Sequence, residues 1–279
     1  MKITKFSRHI KLENDGRLQI FFIGTGSAFN KLDFQNNILV IKGDTHLLID
    51  CGNLCPYALS TYNTPVSKIK NILPTHSHAD HIGGLEEIAF TGMYLAQHKP
   101  NMIITDEYKK ILWEDSLKGG CAYGEEKLQD HFMTFDDYFN QLKPQQAKGT
   151  PRPMYDITLG SLSLRIFRTV HVPNGSNDWS KIFYSIGVLI DNRVLFTGDT
   201  IFDKPLLDWM EENYNIECIF HDCQFYRGGV HASYDQLKNL PQKIKSKMYL
   251  CHYGENHKIF KIKKDGFAGF AERGLYYNF

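Results

Sequence analysis

Short apolar runs bounded by glycine or charge open the chain: LQIFFIGTG (18 to 26), NILVIKG (37 to 43) and THLLIDCG (45 to 52). Runs of this length rich in Ile, Leu, Val and Phe predict buried strands, here in meander order. KIKNILPT (68 to 75) predicts another strand, and DHIGGLEEIAFTGMYLAQ after it has Ile82, Leu85, Ile88 and Ala89 at helical spacing. Residues 100 to 145 change character. MIIT (102 to 105) is followed by a predicted helix over DEYKKILWEDSLKGG, ended by Gly119 and Gly120, and by an amphipathic stretch, EEKLQDHFMTFDDYFNQL. This region reads as a helical insertion. Past the turn-rich PQQAKGTPRP (144 to 153), strands return at MYDITLGSLSLRIFRTVH (154 to 171), FYSIGVLIDN (183 to 192), RVLFTGDT (193 to 200), IECIFHDCQF (216 to 225) and KMYLCHYG (247 to 254). Helices are predicted at LLDWMEENY (206 to 214) and from Ser233. Each half supplies strands followed by helices, which predicts an α/β fold, a four-layer αββα sandwich with helices outside two sheets. A single domain over residues 1 to 279 is expected, with the insertion at about 100 to 145.

Charge narrows the function classes. The 32 basic residues nearly cancel the 31 acidic ones, so no overall positive field gathers a polyanion. The N-terminal MKITKFSRHIKLENDG has no apolar run of signal-peptide length, and no stretch is long and apolar enough for a membrane span. A cytoplasmic protein is expected. The six cysteines are scattered without a CxxC pair, which predicts reduced thiols.

The densest chemistry is PTHSHADHIGGLEE, with His76, His78, Asp80 and His81 in the predicted strand-to-helix loop. Neutral imidazole and carboxylate suit zinc and similar divalent ions, and three histidines in six positions have no good structural role in a loop. His76 and His78, two apart, point the same way on an extended segment, while Asp80 and His81 lie where the helix begins. One loop does not close two coordination spheres. His171, Asp199 and His252 each follow a predicted strand and complete a set of seven ligands.

THSHADH, a distant His, a GDT after a strand and a late His after another strand resemble the metallo-β-lactamase superfamily. The resemblance runs from GTGSAF through LLIDCG to CHYG. It implies two zinc ions per subunit: His76, His78 and His171 on one, Asp80, His81 and His252 on the other, and Asp199 bridging. Manganese or iron fit the same donors. Asp80 is counted with the catalytic residues as well as the ligands.

Two such ions share and acidify a water, a device that serves amides, thioesters and phosphodiesters alike. FHDCQFYRGGVHASYDQL resembles the tRNase Z branch, which implies His231 as the proton donor to the leaving oxygen and Asp222 as the acidic group that orients it. Expelling an alkoxide is hard unless a proton arrives, and histidine holds one near neutral pH. His221 reads equally well as a buried structural histidine. The long basic arm with which the nuclease branch holds tRNA is not seen. Residues 100 to 145 are acidic and aromatic in parts, a poor RNA platform. The size, the GTGSAF opening and His231 are similar to the anti-Pycsar phosphodiesterases, which share these motifs and lack the arm. That resemblance implies hydrolysis of 3′,5′-cyclic mononucleotides such as cCMP and cUMP, immune evasion, and a homodimer whose partner closes the site. It implies a small nucleotide as substrate, with no stable nucleic-acid partner and no membrane. The alternatives are a tRNase Z-like RNA 3′-end endonuclease, a lactamase- or glyoxalase-type hydrolase of the same fold, and a non-catalytic, metal-stabilised binding protein. Arg227 with Gly228 and Gly229 reads as either a phosphate-binding loop or a plain exposed turn.

Overall fold

The computed structural model describes residues 1–123, 132–173 and 175–279. These form two compact units. The first comprises Met1–Gly24, Asn37–Pro144 and Gly274–Phe279, and the second Thr25–Asn36 and Gln145–Arg273.

In the first unit eight strands form one sheet, in the spatial order Lys2–Lys5, Leu275–Asn278, Gln19–Gly24, Asn37–Lys42, Thr45–Ile49, Asn71–Leu73, Asn101–Ile103 and Asn140–Leu142. The predicted meander is present, with Gln19–Gly24, Asn37–Lys42 and Thr45–Ile49 pairing antiparallel and Val40 opposite Leu47. From Thr45–Ile49 onward the neighbours are parallel. Successive residues such as Ile38, Leu39 and Val40 are fully buried, so both faces of these strands are covered.

Two predictions for this unit are corrected. The helix expected after His81 is broken into Ala79–Ile82 and Leu85–Phe90, continued by a wider turn over Thr91–Ala96. Gly83 and Gly84 mark the break, and a Cβ at Gly84 would lie 2.7 Å from Cys51 Sγ. Only glycine lets the chain approach the strand end there. The helix Asp106–Leu112, capped by Thr105, continues as a wide turn over Trp113–Leu117 and a last turn Lys118–Cys121 that includes Gly119 and Gly120 rather than stopping at them. Part of the amphipathic stretch, residues 124–131, lies outside the described residues, but its far end, Asn140–Leu142, pairs in parallel with Asn101–Ile103. Both ends of the region from 100 to 145 are therefore strands of the sheet.

The second unit repeats the plan in chain order: Gln145–Gln146, Met154–Leu159, Leu162–Arg168, Ile186–Ile190, Val194–Phe196, Cys218–Asp222, Met248–Cys251 and Gly269–Phe270. Pairing is antiparallel as far as Val194–Phe196 and parallel beyond it. Parallel strands all end at one edge of the sheet, which is where α/β sheets carry their functional groups. The core packs Leu195, Ile219, Met248 and Leu250 against Leu206, Leu207 and Met210 of the helix Lys204–Asn213. All six cysteines are buried and free of disulfides. Among the described residues, no helix is long and apolar enough to cross a membrane.

Candidate metal centre

The first unit gathers its donors in one loop. Asn71–Leu73 ends just before Thr75, and His78 is extended before the turn Ala79–Ile82, which places Asp80 and His81 in a first helical turn. His76 Nε2 lies 3.0 Å from His78 Nδ1, His81 Nε2 lies 3.2 Å from Asp80 Oδ2, and the His76 and His81 ring centroids are 4.0 Å apart. His76 and His81 are fully buried. A residue without an assigned role in the sequence holds this loop together. Asp50, at the end of Thr45–Ile49, accepts from Thr75 N–H at 2.7 Å and Thr75 Oγ1–H at 2.9 Å, and its Oδ2 lies 2.7 Å from His81 Nδ1. With Nδ1 directed to a carboxylate, Nε2 of His81 is the nitrogen that could hold a metal ion. Burial pushes the Asp50 carboxyl pKa up, against the pull of the His81 imidazole. Asp50 also takes a left-handed backbone, φ 63°, sparsely populated outside glycine and tolerated by aspartate. Its signal is in the sequence: LLIDCG, like VLFTGDT, ends a strand with an aspartate within two residues of a glycine.

The second unit collects donors from separate strand ends. His171 follows Leu162–Arg168, Asp199 follows Val194–Phe196, Asp222 closes Cys218–Asp222, and His252 follows Met248–Cys251. Asp199 Oδ2 lies 3.3 Å from His252 Nε2, 3.8 Å from His171 Nε2 and 3.8 Å from His231 Nδ1. Donor atoms of Asp199, Asp222, His231 and His252 all fall within 4.8 Å of one another. Gly198 turns the chain into Asp199 at φ 59°, and a Cβ there would clash with the Ile186 carbonyl oxygen. His252 holds φ 55°, a strained value for a β-carbon-bearing residue. The GTGSAF turn from Thr25 onward belongs to this unit. Gly26 bridges to Tyr253, and Thr25 Oγ1 lies 2.7 Å from the Tyr253 hydroxyl, which steadies the residue after His252.

The pairing of His231 with Asp222 is close: His231 Nδ1 lies 2.7 Å from Asp222 Oδ2, which also accepts from Thr200 N–H at 3.0 Å. Burial disfavours the His231 cation, but the Asp222 carboxylate outweighs it and raises the pKa above the usual value. Burial instead lowers the pKa of His171, whose Nδ1 donates to the Val230 carbonyl at 3.1 Å and whose Nε2 faces Asp199 Oδ2. His221 is buried, its Nδ1 bonded to the backbone oxygen of Asp222, a structural role. Of the aromatic residues near the motifs, Tyr184 and Tyr253 are buried in the core and Tyr226 is exposed.

A family model described as "Anti-Pycsar protein Apyc1" matches residues 18–277. The chain belongs to this family. A relative of the same name from Bacillus phage vB_BsuM-Goe3 is 36% identical over 266 residues, 92% of this chain and 96% of that one. Among solved structures, the metallo-β-lactamase fold protein YhfI from Bacillus subtilis covers 94% of this Apyc1-family chain and all of its own, at TM-score 0.67 and 16% identity. The short form of human tRNase Z covers 93% of the chain and 98% of its own, at TM-score 0.59 and 14% identity. These likenesses establish the metallo-β-lactamase fold, the α/β class read from the strand and helix pattern.

Proposed function

We propose that this chain is a metal-dependent phosphodiesterase that opens small 3′,5′-cyclic nucleotides such as cCMP and cUMP, and so counters cyclic nucleotide immune signalling. Membership of the anti-Pycsar family supports the biology, and the His231–Asp222 pair carries the chemistry. A histidine kept protonated by a buried carboxylate is the group needed to expel a ribose oxygen. A hydrolase with a better leaving group has less use for it.

Both clusters fit divalent ions by the chemistry of their donors, mostly buried imidazoles and carboxylates, with the ring of His81 oriented from behind by Asp50 and that of His171 by the Val230 carbonyl. In this reading His76, His78 and His171 would hold one divalent ion and Asp80, His81 and His252 a second, with Asp199 shared between them, as the family resemblance implies. Bound ions would supply Lewis acidity at the phosphate and a water acidified toward neutral pH. The chain's own part is the proton. As the water oxygen bonds to phosphorus and the bond from phosphorus to the ribose oxygen breaks, His231 gives its proton to that oxygen, and Asp222 holds the ring in place.

The test is hydrolysis of cCMP, cUMP, bis(p-nitrophenyl) phosphate and a pre-tRNA by metal-loaded wild type and His231→Ala. Cleavage of cyclic nucleotides that collapses in the variant, with pre-tRNA intact, is the expected result. Cleavage of pre-tRNA alone would make the protein an RNA endonuclease. Turnover of nitrocefin or S-lactoylglutathione alone would make it another hydrolase of this fold. The reading includes a homodimer, and light scattering that returns the mass of one chain at assay concentrations would remove that part.

A further inference from the structure

A cavity of about 540 Å³ opens beside His231 within the second unit, its lining including Phe202, Gln224, Arg227, Gln236 and Asn239. That volume suits a small organic ligand and far exceeds what a leaving oxygen needs. Gln236 lies in the helical turn Tyr234–Leu237 and Asn239 just past its end, and both line this cavity. Each carboxamide is oriented from behind. Gln236 Oε1 accepts from the Ser233 N–H at 3.1 Å and the Ser233 hydroxyl at 2.8 Å, which leaves its Nε2 as a donor. Asn239 Nδ2 donates to the Asp235 carbonyl at 3.0 Å, which leaves its Oδ1 as an acceptor.

Gln224 supplies an independent sign that the cavity is built for a polar ligand. It is 5% exposed, its Nε2 donates to the carbonyls of Tyr226 and Gly228, and its Oε1 is buried with no hydrogen-bond partner among the described residues. A buried amide oxygen is costly unless a donor reaches it. At the rim, Arg227 is 90% exposed and held by a single ion pair to Asp235 at 3.2 Å, an exposed contact weak enough to be exchanged for a phosphate.

We propose that this cavity is the nucleoside subsite: it takes the sugar and base of a substrate whose phosphate lies at His231, with Gln236 Nε2 and Asn239 Oδ1 reading an acceptor and a donor on the base edge. That the ligand is a nucleotide rests on the phosphodiesterase reading; where its base lies is new. Cytosine and uracil each present such a pair, an N4 donor beside the N3 acceptor or an N3 donor beside carbonyl oxygens.

Two variants separate recognition from folding. Gln236→Glu keeps an acceptor for Ser233, since glutamate serves in the same capping box, but removes the donor. Asn239→Ala removes the acceptor without adding charge. Steady-state kinetics on cCMP and bis(p-nitrophenyl) phosphate are combined with calorimetric titration of the metal-loaded protein with cytidine 5′-monophosphate. Each variant is expected to raise KM for cCMP and Kd for the monophosphate about tenfold, the effect of one lost hydrogen bond, and to lose far more on cCMP than on bis(p-nitrophenyl) phosphate. Equal losses on both substrates, or none on either, would overturn the subsite. If wild type hydrolyses no cyclic nucleotide yet binds the monophosphate in a way both variants weaken, the phosphodiesterase reading falls and the subsite stands. If it neither hydrolyses nor binds, both fall.

Discussion

The first unit presents four site residues from one stretch of six, His76 to His81, whereas the second presents five, His171, Asp199, Asp222, His231 and His252, scattered between positions 171 and 252. The first arrangement is local and needs one outside carboxylate, Asp50, to fix it. The second exists only because parallel strands end side by side, so that Asp222 and Cys251, the residue before His252, are register partners. Contiguous donors are fixed by a loop and one hydrogen-bond partner; scattered donors are fixed by a sheet. The two clusters should therefore fail differently.

The largest effect is expected in the second unit. His231→Ala should lower kcat on cyclic nucleotides by about 10²–10⁴ while metal content, read by atomic emission, stays that of wild type. Loss of metal along with activity would make His231 a ligand instead of the proton donor. Next comes Gly198→Ala. A side chain at φ 59° facing the Ile186 carbonyl should cost about 3–4 kcal/mol in urea unfolding, because the sheet has no slack where it delivers Asp199. A cost below 1 kcal/mol would show that this strand end is softer than the comparison requires.

A pH effect of roughly 2–3 kcal/mol is expected in the first unit, away from the donors. Burial, helped by the Lys70 charge, lowers the His46 pKa to about 4, and its Nε2 accepts from the Lys70 N–H at 3.1 Å. The unfolded chain binds this proton near pH 6.5 and the folded one near 4, so the contribution is full above pH 6.5 and is lost as pH falls toward 4. Denaturant midpoints measured with chelator should fall over that window in wild type, and less in His46→Gln. Parallel curves for the two proteins would remove His46 as the cause. The smallest effect is Asp50→Asn, expected to weaken zinc binding by about 10–100-fold in a competition titration while the fold persists. An unchanged affinity would mean that the six-residue loop holds its geometry unaided, which would sharpen the contrast with the second unit.

Much of this is legible in the sequence. The meander, the strand-to-helix loop and the strand-end positions of His171, Asp199 and His252 follow from runs, periodicity and motif spacing, and the pairing of Asp222 with His231 is what the tRNase Z resemblance implies. Asp50 was not assigned a role, because its partner His81 is 31 residues away and hydrogen bonding across that distance leaves no periodic trace. The apolar spacing persists through Gly83 and Gly84 and so predicts a continuous helix after His81, while the close approach to Cys51 that requires glycine is a tertiary contact. The strand Asn140–Leu142 was hidden in an amphipathic run of helical character; pairing with Asn101–Ile103 overrode the local preference.

The sequence by itself determined the donor types, the loop that carries four of them, the strand ends that carry others, and the fold class, because side-chain chemistry and hydrophobic period are local properties of the chain. Tertiary structure alone decided the carboxylate behind His81, the distances that make His231 and Asp222 an ion pair, and the cavity into which Gln236 and Asn239 point. Each of these depends on how sheet pairing and packing bring groups within about 3–4 Å of one another, and hydrogen bonds and ion pairs form only at such separations.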